Sequence, residues 1–177
     1  YSHTGGNDNT ANGYDALFLN ATGNQNTATG SDALYHNTSS GNTANGFKAL
    51  YHNTVGGSNT AMGSRALFSS TTAGFNTAIG LEALFSNTTG HSNTANGVTA
   101  LESNTTGYEN SANGRRSLYS STTGHSNTAN GYSALFSNTT GSENTGIGDR
   151  ALYHNATGNL NTAIGNSAFS NGVSFSN

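Results

Sequence analysis

The chain has 177 residues, of which only 7% are charged and 32% are hydrophobic, and its formal net charge is −3. A typical soluble domain is about 25% charged. Because the chain has no cysteine, disulfides and thiolate metal sites are excluded. The small negative charge provides no basic surface for nucleic acid, and no apolar run is long enough to span a membrane.

A tandem repeat runs through the whole chain, which we treat as one repeat domain, residues 1–177. A motif close to Asn-Thr-Ala-x-Gly begins at residues 9, 26, 42, 59, 76, 93, 110, 127, 144 and 161, with spacings of 17 residues and a single spacing of 16. We call these units coils 1 to 10 and number their positions as slots 1 to 17. Residues 1–8 fill slots 10 to 17 of a preceding unit, so we expect a piece of a longer array. The missing residue lies near positions 39–41, where a turn would absorb it.

The repeat predicts an all-β fold. A period of 17 is shorter than that of the helical repeats, and glycine and asparagine in every unit disfavour a helix. We therefore predict a parallel β-solenoid (β-roll) of about ten 17-residue coils, in which equal slots stack at about 4.8 Å. The glycine at slot 5 of every unit predicts a corner with positive φ. Asn-Thr-Thr-Gly at slots 12 to 15 predicts a second corner.

Two short segments, slots 1 to 4 and slots 6 to 11, lie between these corners and are predicted as strands. Slot 1 is asparagine in every coil, which predicts a ladder of stacked amides. The members of this ladder are Asn9, Asn26, Asn42, Asn59, Asn76, Asn93, Asn110, Asn127, Asn144 and Asn161.

Slots 8, 9 and 10 are alanine, leucine and an aromatic residue in most coils, as at Ala134, Leu135 and Phe136. Neighbouring side chains of a strand point to opposite faces, so the leucine takes one face and the other two residues share the second. Since only one face lines the interior of the coil, the apolar residues of the other face need to be buried against a partner chain. This predicts an obligate oligomer. Unpaired strand edges at the ends also predict end-to-end stacking into filaments.

The segments 76–80 and 161–165 both read Asn-Thr-Ala-Ile-Gly. They resemble the repeats in the head domains of YadA-type trimeric autotransporter adhesins, and similar repeats of phage-like tail fibres. The resemblance extends from Asn9 to Phe169, although the repeat here is longer than that of the adhesins. It implies a left-handed parallel β-roll that assembles as a homotrimer and serves surface attachment.

These features predict a structural fibre or filament segment that acts in surface attachment, without catalysis and without cofactors. Its expected place is outside the cell, on the cell surface or on a viral or phage-like fibre. A surface rich in hydroxyl and amide groups suits carbohydrate or an abiotic surface as partner. The alternative is ice binding by the slot 2 column, although the mixed residues of slot 4 on the same face oppose it. The slot 2 column comprises Thr10, Thr27, Thr43, Thr60, Thr77, Thr94, Ser111, Thr128, Thr145 and Thr162.

No catalytic, cofactor-binding or metal-binding residues are predicted. The acidic residues are scattered over several slots, and of the slot 11 histidines His36, His52 and His154 only the first two are in adjacent coils. Glycosylation sequons recur at slot 12 and would place sugars along one ridge if the source organism glycosylates secreted proteins. The preferred interpretation is that the corner itself requires these residues. The sequon asparagines are Asn20, Asn37, Asn87, Asn104, Asn138 and Asn155.

Overall fold

The computed structural model of the protein describes residues 6–171, and within that range it contains ten strands and no helix. All ten strands form one sheet, in the order β1 to β10, and every neighbouring pair is parallel. The predicted β-solenoid is therefore confirmed. The strands are β1 (Thr10–Asn12), β2 (Thr27–Thr29), β3 (Thr43–Asn45), β4 (Thr60–Met62), β5 (Thr77–Ile79), β6 (Thr94–Asn96), β7 (Ser111–Asn113), β8 (Thr128–Asn130), β9 (Thr145–Ile147) and β10 (Thr162–Ile164).

Each strand covers slots 2 to 4, and equal slots pair with equal slots throughout the sheet. In β5 and β6, for example, Thr77 pairs with Thr94 and Ala78 with Ala95. The coil that lacks one residue keeps this register, because Thr27 still pairs with Thr43. Ser39 takes the place of slot 15 there, since its carbonyl accepts the amide hydrogen bond of Asn37 at 2.7 Å. The turn absorbs the deletion, as predicted.

The predicted strand over slots 6 to 11 is wrong, because the chain forms two tight turns there instead. The residues of slots 7 and 9 have left-handed backbones with φ between 50° and 60°, although none is glycine. In coil 5 the turns are closed by hydrogen bonds from Ala83 N to Gly80 O at 3.4 Å and from Asn87 N to Leu84 O at 3.2 Å. Another hydrogen bond, from Leu84 N to Ala100 O at 3.0 Å, joins this segment to the next coil.

The two turns direct both the slot 8 alanine and the slot 9 leucine into the interior. Ala83 and Leu84 are fully buried, whereas Phe85 of slot 10 lies at the surface and is half-buried. The interior is completed by the slot 3 alanine and by the asparagines of slots 1 and 12, which are also buried. The prediction of an obligate oligomer is based on a strand with apolar residues on both faces. Since this segment is not a strand, that argument for a partner chain no longer applies.

The slot 5 glycine forms the first corner, and two constraints require glycine there. Its φ is positive in every coil, as at Gly80 (131°) and Gly97 (149°), a region that side chains resist. A Cβ at Gly80 would also collide with the carbonyl group of Gly97 in the next coil. The predicted corner is confirmed, and it separates the strand face from the turns.

Candidate functional site

The slot 1 asparagines form a continuous column of hydrogen bonds along the rod. The backbone N–H of Asn93 donates to Oδ1 of Asn76 at 2.9 Å, and its Nδ2 donates to the same oxygen at 3.2 Å. The Nδ2 group also donates to Gly107 O at slot 15 of the same coil, at 2.8 Å. The backbone bond recurs at every step from Asn9 to Asn161. The predicted amide ladder is present and ties each coil to both neighbours.

The sequon asparagines of slot 12 form a second buried amide column. Asn87 and Asn104 are fully buried, and Nδ2 of Asn104 donates to Asn87 Oδ1 at 2.7 Å and to Gly107 O at 3.0 Å. A glycan on Nδ2 would displace these bonds and has no room in the interior. The folded coil therefore does not present these amides for glycosylation, and the corner explains the recurrence of asparagine at slot 12.

The second amide column is interrupted in coils 4 and 7, where slot 12 is serine. Each interruption leaves two buried oxygens without a hydrogen-bond partner in the described chain, the Oδ1 of the preceding asparagine and the Oγ of the serine. These pairs are Asn53 with Ser70 and Asn104 with Ser121. Serine is too short to donate to the carbonyl oxygen one coil away.

In the coils of full length, glycine at slot 15 makes room for the slot 12 amide, whereas coil 2, whose turn is one residue shorter, holds the buried Asn37 beside Ser39. A Cβ at Gly56 would lie 2.6 Å from Oδ1 of Asn53 in the same coil. Coil 4 replaces both residues together, with Ser70 at slot 12 and the buried Ala73 at slot 15. Coil 7 keeps Gly124 beside Ser121, so there the space for an amide remains.

Stacked rings form columns on the outside of the turns. In slot 10 the ring centroids of neighbouring coils are 5.2 to 5.6 Å apart from Phe18 to Phe85 and 5.0 to 5.1 Å apart from Tyr119 to Tyr153. Glu102 occupies slot 10 of coil 6 and separates the two columns. Each stacked pair contributes about 0.5–1.5 kcal/mol beyond its buried area.

The slot 11 histidines lie beside the ring columns of slot 10. The rings of His36 and His52 are stacked at 5.8 Å, which confirms that this pair is adjacent. Partial burial, the neighbouring His36 and the ammonium group of Lys48 lower the pKa of His52. His154 instead packs edge-on against Tyr153 at 4.7 Å.

Two further surfaces are defined by exposed side chains. The outer face of the sheet carries the slot 2 threonines and the mixed residues of slot 4. Exposed large hydrophobic residues concentrate in slots 4 and 6, on either side of the glycine corner, and we call this surface the corner ridge. Its members are Tyr14, Phe47, Met62, Ile79, Leu81, Val98, Tyr132 and Ile164.

Residues 6–171 contain no cluster of three histidine, cysteine, aspartate or glutamate side chains that would hold a metal ion. In the same range there is no helix of the length and apolarity that a membrane span needs.

The fold and these surfaces define a β-solenoid with two buried amide columns. Comparison of the chain with protein-family models, with curated proteins and with solved structures finds no match.

Proposed function

We propose that the chain is a segment of an extracellular fibre or filament that serves surface attachment and performs no catalysis. The observation that supports this function is the unbroken register of the coils around the slot 1 amide column. Ten coils at about 4.8 Å each give a stiff rod about 50 Å long. Such a rod holds its surface groups at fixed distances from a cell or particle, which is the task of a fibre segment.

Self-association, with the homotrimer that the adhesin resemblance implies, is part of this proposal. It is supported by the corner ridge, which has an exposed apolar residue in each of the four successive coils 3 to 6, because large exposed apolar patches mark interaction sites. Ile79 and Leu81 flank one corner and are 39% and 45% exposed. Asparagine at slot 4 and serine at slot 6 occur in other coils, so Ile79→Asn with Leu81→Ser preserves the coil.

Sedimentation equilibrium without denaturant tests the assembly. We expect a trimer for the wild-type chain and a shift toward monomer for the Ile79→Asn/Leu81→Ser variant. Leu160→Ser is the matched control, because Leu160 is similarly exposed at 52% but lies outside the corner ridge. A folded wild-type monomer would refute the assembly.

Adhesion of protein-coated microspheres under flow tests the attachment function. We expect spheres coated with the chain to adhere to polysaccharide-coated or mineral surfaces more strongly than spheres coated with an unrelated protein of similar charge. Equal adhesion of both kinds of sphere would contradict the function.

Ice binding is the second candidate function. It is supported by the slot 2 hydroxyl column, which repeats on an outward sheet face from Thr10 to Thr162. Slot 4 on that face varies among asparagine, threonine, methionine and isoleucine, which works against a uniform match to a lattice. A clear thermal hysteresis gap in solutions of the chain would favour ice binding over attachment.

A further inference from the structure

An open groove of about 600 Å³ lies on the second corner of the rod, between slots 14 and 17 of coils 3 to 5, and Ser39 of coil 2 also lines it. Val55 and Thr72 of slot 14 form one wall, and Phe75 of slot 17 forms part of the other. Gly57 and Gly74 of slot 16 lie between the walls. Val55 and Phe75 are 63% and 72% exposed, so the walls present apolar surface to solvent.

The groove begins where a column of stacked rings ends. His91, Tyr108 and His125 fill slot 16 of coils 5 to 7, with centroid distances of 5.1 Å and 4.8 Å. The column stops at His91 because the preceding coils have Gly74 and Gly57 at this slot. One face of the His91 ring therefore stacks on Tyr108, while the other borders the groove. The two glycines leave a gap of about 10 Å along the axis, the length of two coil spacings.

The chemistry of the lining defines the kind of ligand that fits. His91, Phe75 and Val55 provide ring and aliphatic surface, and the hydroxyls of Ser58, Thr72, Thr89 and Ser92 lie around it. No aspartate, glutamate, lysine or arginine is among the described lining residues. A sugar ring has a matching pattern, because one face of a pyranose is formed by C–H groups and its edges carry hydroxyls. Sites of this kind combine apolar walls with a few polar groups that fix orientation.

We propose that this groove binds a neutral pyranose unit of a surface glycan. The sugar stacks its apolar face on the free face of His91 and against Phe75, and its hydroxyls hydrogen-bond to Thr72 and Ser58. This inference rests on the proposed attachment function and assigns a ligand class to it. A single shallow groove binds weakly, and an oligomeric fibre gains avidity by presenting several copies.

Saturation-transfer NMR of the full chain with the methyl glycosides of galactose, glucose, mannose and N-acetylglucosamine tests the proposal. We expect saturation transfer to at least one of them. Phe75→Ser removes a wall and introduces the residue that slot 17 has at Ser58 and Ser92. Gly74→His extends the ring column into the groove, and histidine is already accommodated at slot 16 in coils 5 and 7.

Both groove variants should lose at least ten-fold of the transfer, whereas Leu160→Ser, an exposed slot 17 residue outside the groove, should keep it. Absence of transfer to all four glycosides, or full transfer in Phe75→Ser, would overturn the groove proposal. Microsphere adhesion separates the two proposals. If spheres coated with Phe75→Ser adhere as strongly as wild-type spheres, the attachment function is retained and the groove is not its site. If the chain binds glycosides in the groove but its spheres do not adhere, the attachment function is refuted and the groove proposal is not.

Discussion

The interior of each coil has an apolar half and an amide half, and the two respond differently to a change of residue. In the apolar half, Ser117 replaces the usual slot 8 alanine, and its hydroxyl bonds to Gly114 O at 2.8 Å within the same coil. In the amide half, Ser121 replaces the usual slot 12 asparagine, and both its Oγ and Oδ1 of Asn104 lose their partners. The serine in the apolar half finds its hydrogen bond within its own coil, whereas the serine in the amide half breaks a hydrogen bond between neighbouring coils.

The largest expected effect comes from breaking the complete amide column in mid-rod. Asn93→Ala removes the acceptor of two hydrogen bonds from Asn110 and the donor to Asn76 and Gly107. Since each buried unsatisfied group costs about 1–3 kcal/mol, we expect a loss of about 3–5 kcal/mol in the free energy of unfolding. Urea unfolding measures this loss. Asn96→Ala, which removes an exposed amide from the same coil, should change stability by less than about 0.5 kcal/mol, and equal losses would contradict the column's role.

A smaller loss is expected in the apolar half. Leu84→Ala should cost about 3 kcal/mol because it leaves a cavity in the core. Leu84 has a φ of 53°, and a left-handed backbone costs a residue with a Cβ about 1 kcal/mol. Leu84→Gly should therefore be no less stable than Leu84→Ala in urea unfolding. A glycine variant that is clearly the weaker of the two would show that the left-handed turn is not formed in solution.

Repairing the interrupted column should stabilise the protein. Ser121→Asn provides a donor to Oδ1 of Asn104, and we expect a gain of about 1–2 kcal/mol. Ser70→Asn should bring no such gain, because the methyl group of Ala73 takes the space that Gly124 leaves free in coil 7. The two variants are compared by their urea unfolding midpoints. Equal gains, or a loss in Ser121→Asn, would refute this account of slots 12 and 15.

The smallest expected effect is a pH dependence outside the interior. The folded state lowers the pKa of His52, so its contribution is present above the unfolded pKa of about 6.5 and is lost as the pH falls through the folded pKa. The melting temperature should therefore fall more between pH 7.5 and pH 5 in the wild type than in His52→Ser. Ser69→Ala, a slot 11 variant that removes no titratable group, should keep the wild-type decrease. If the melting temperature of His52→Ser decreased with pH as much as that of the wild type, His52 would not be the source of the pH dependence.

The repeat predicts much of the fold because equal letters at a fixed spacing place equal side chains above one another. The strand of slots 2 to 4, the corner at Gly80 and the amide ladder all follow from that stacking. The turns over slots 6 to 11 were not predictable in the same way. Alternating apolar residues such as Ala83 and Phe85 are typical of a strand, and left-handed backbones at Glu82 and Leu84 carry no glycine to signal them.

The candidate sites depend on differences between coils rather than on the repeat itself. The sequons at slot 12 indicate a corner, but only the structure shows that their amides are hydrogen-bonded in the interior, as at Asn87 and Asn104. The groove arises where Gly57 and Gly74 occupy slot 16 next to the histidine and tyrosine column of coils 5 to 7. A comparison of slot 16 across the coils shows from the sequence where the ring column ends. The exposure of Phe75 beside this point is visible only in the structure.

The central claim is that each 17-residue unit advances the rod by one strand spacing. Because the chain has no native cysteine, spin labels on cysteines substituted for exposed slot 14 threonines measure this advance by pulsed electron resonance, with unlabelled chain added to suppress contacts between chains. Labels at positions 22 and 106 are five coils apart, and labels at 22 and 157 are eight coils apart. We predict distances of about 24 Å and about 38 Å respectively. Distances that do not grow in proportion to the number of coils would contradict the solenoid and every column built on it.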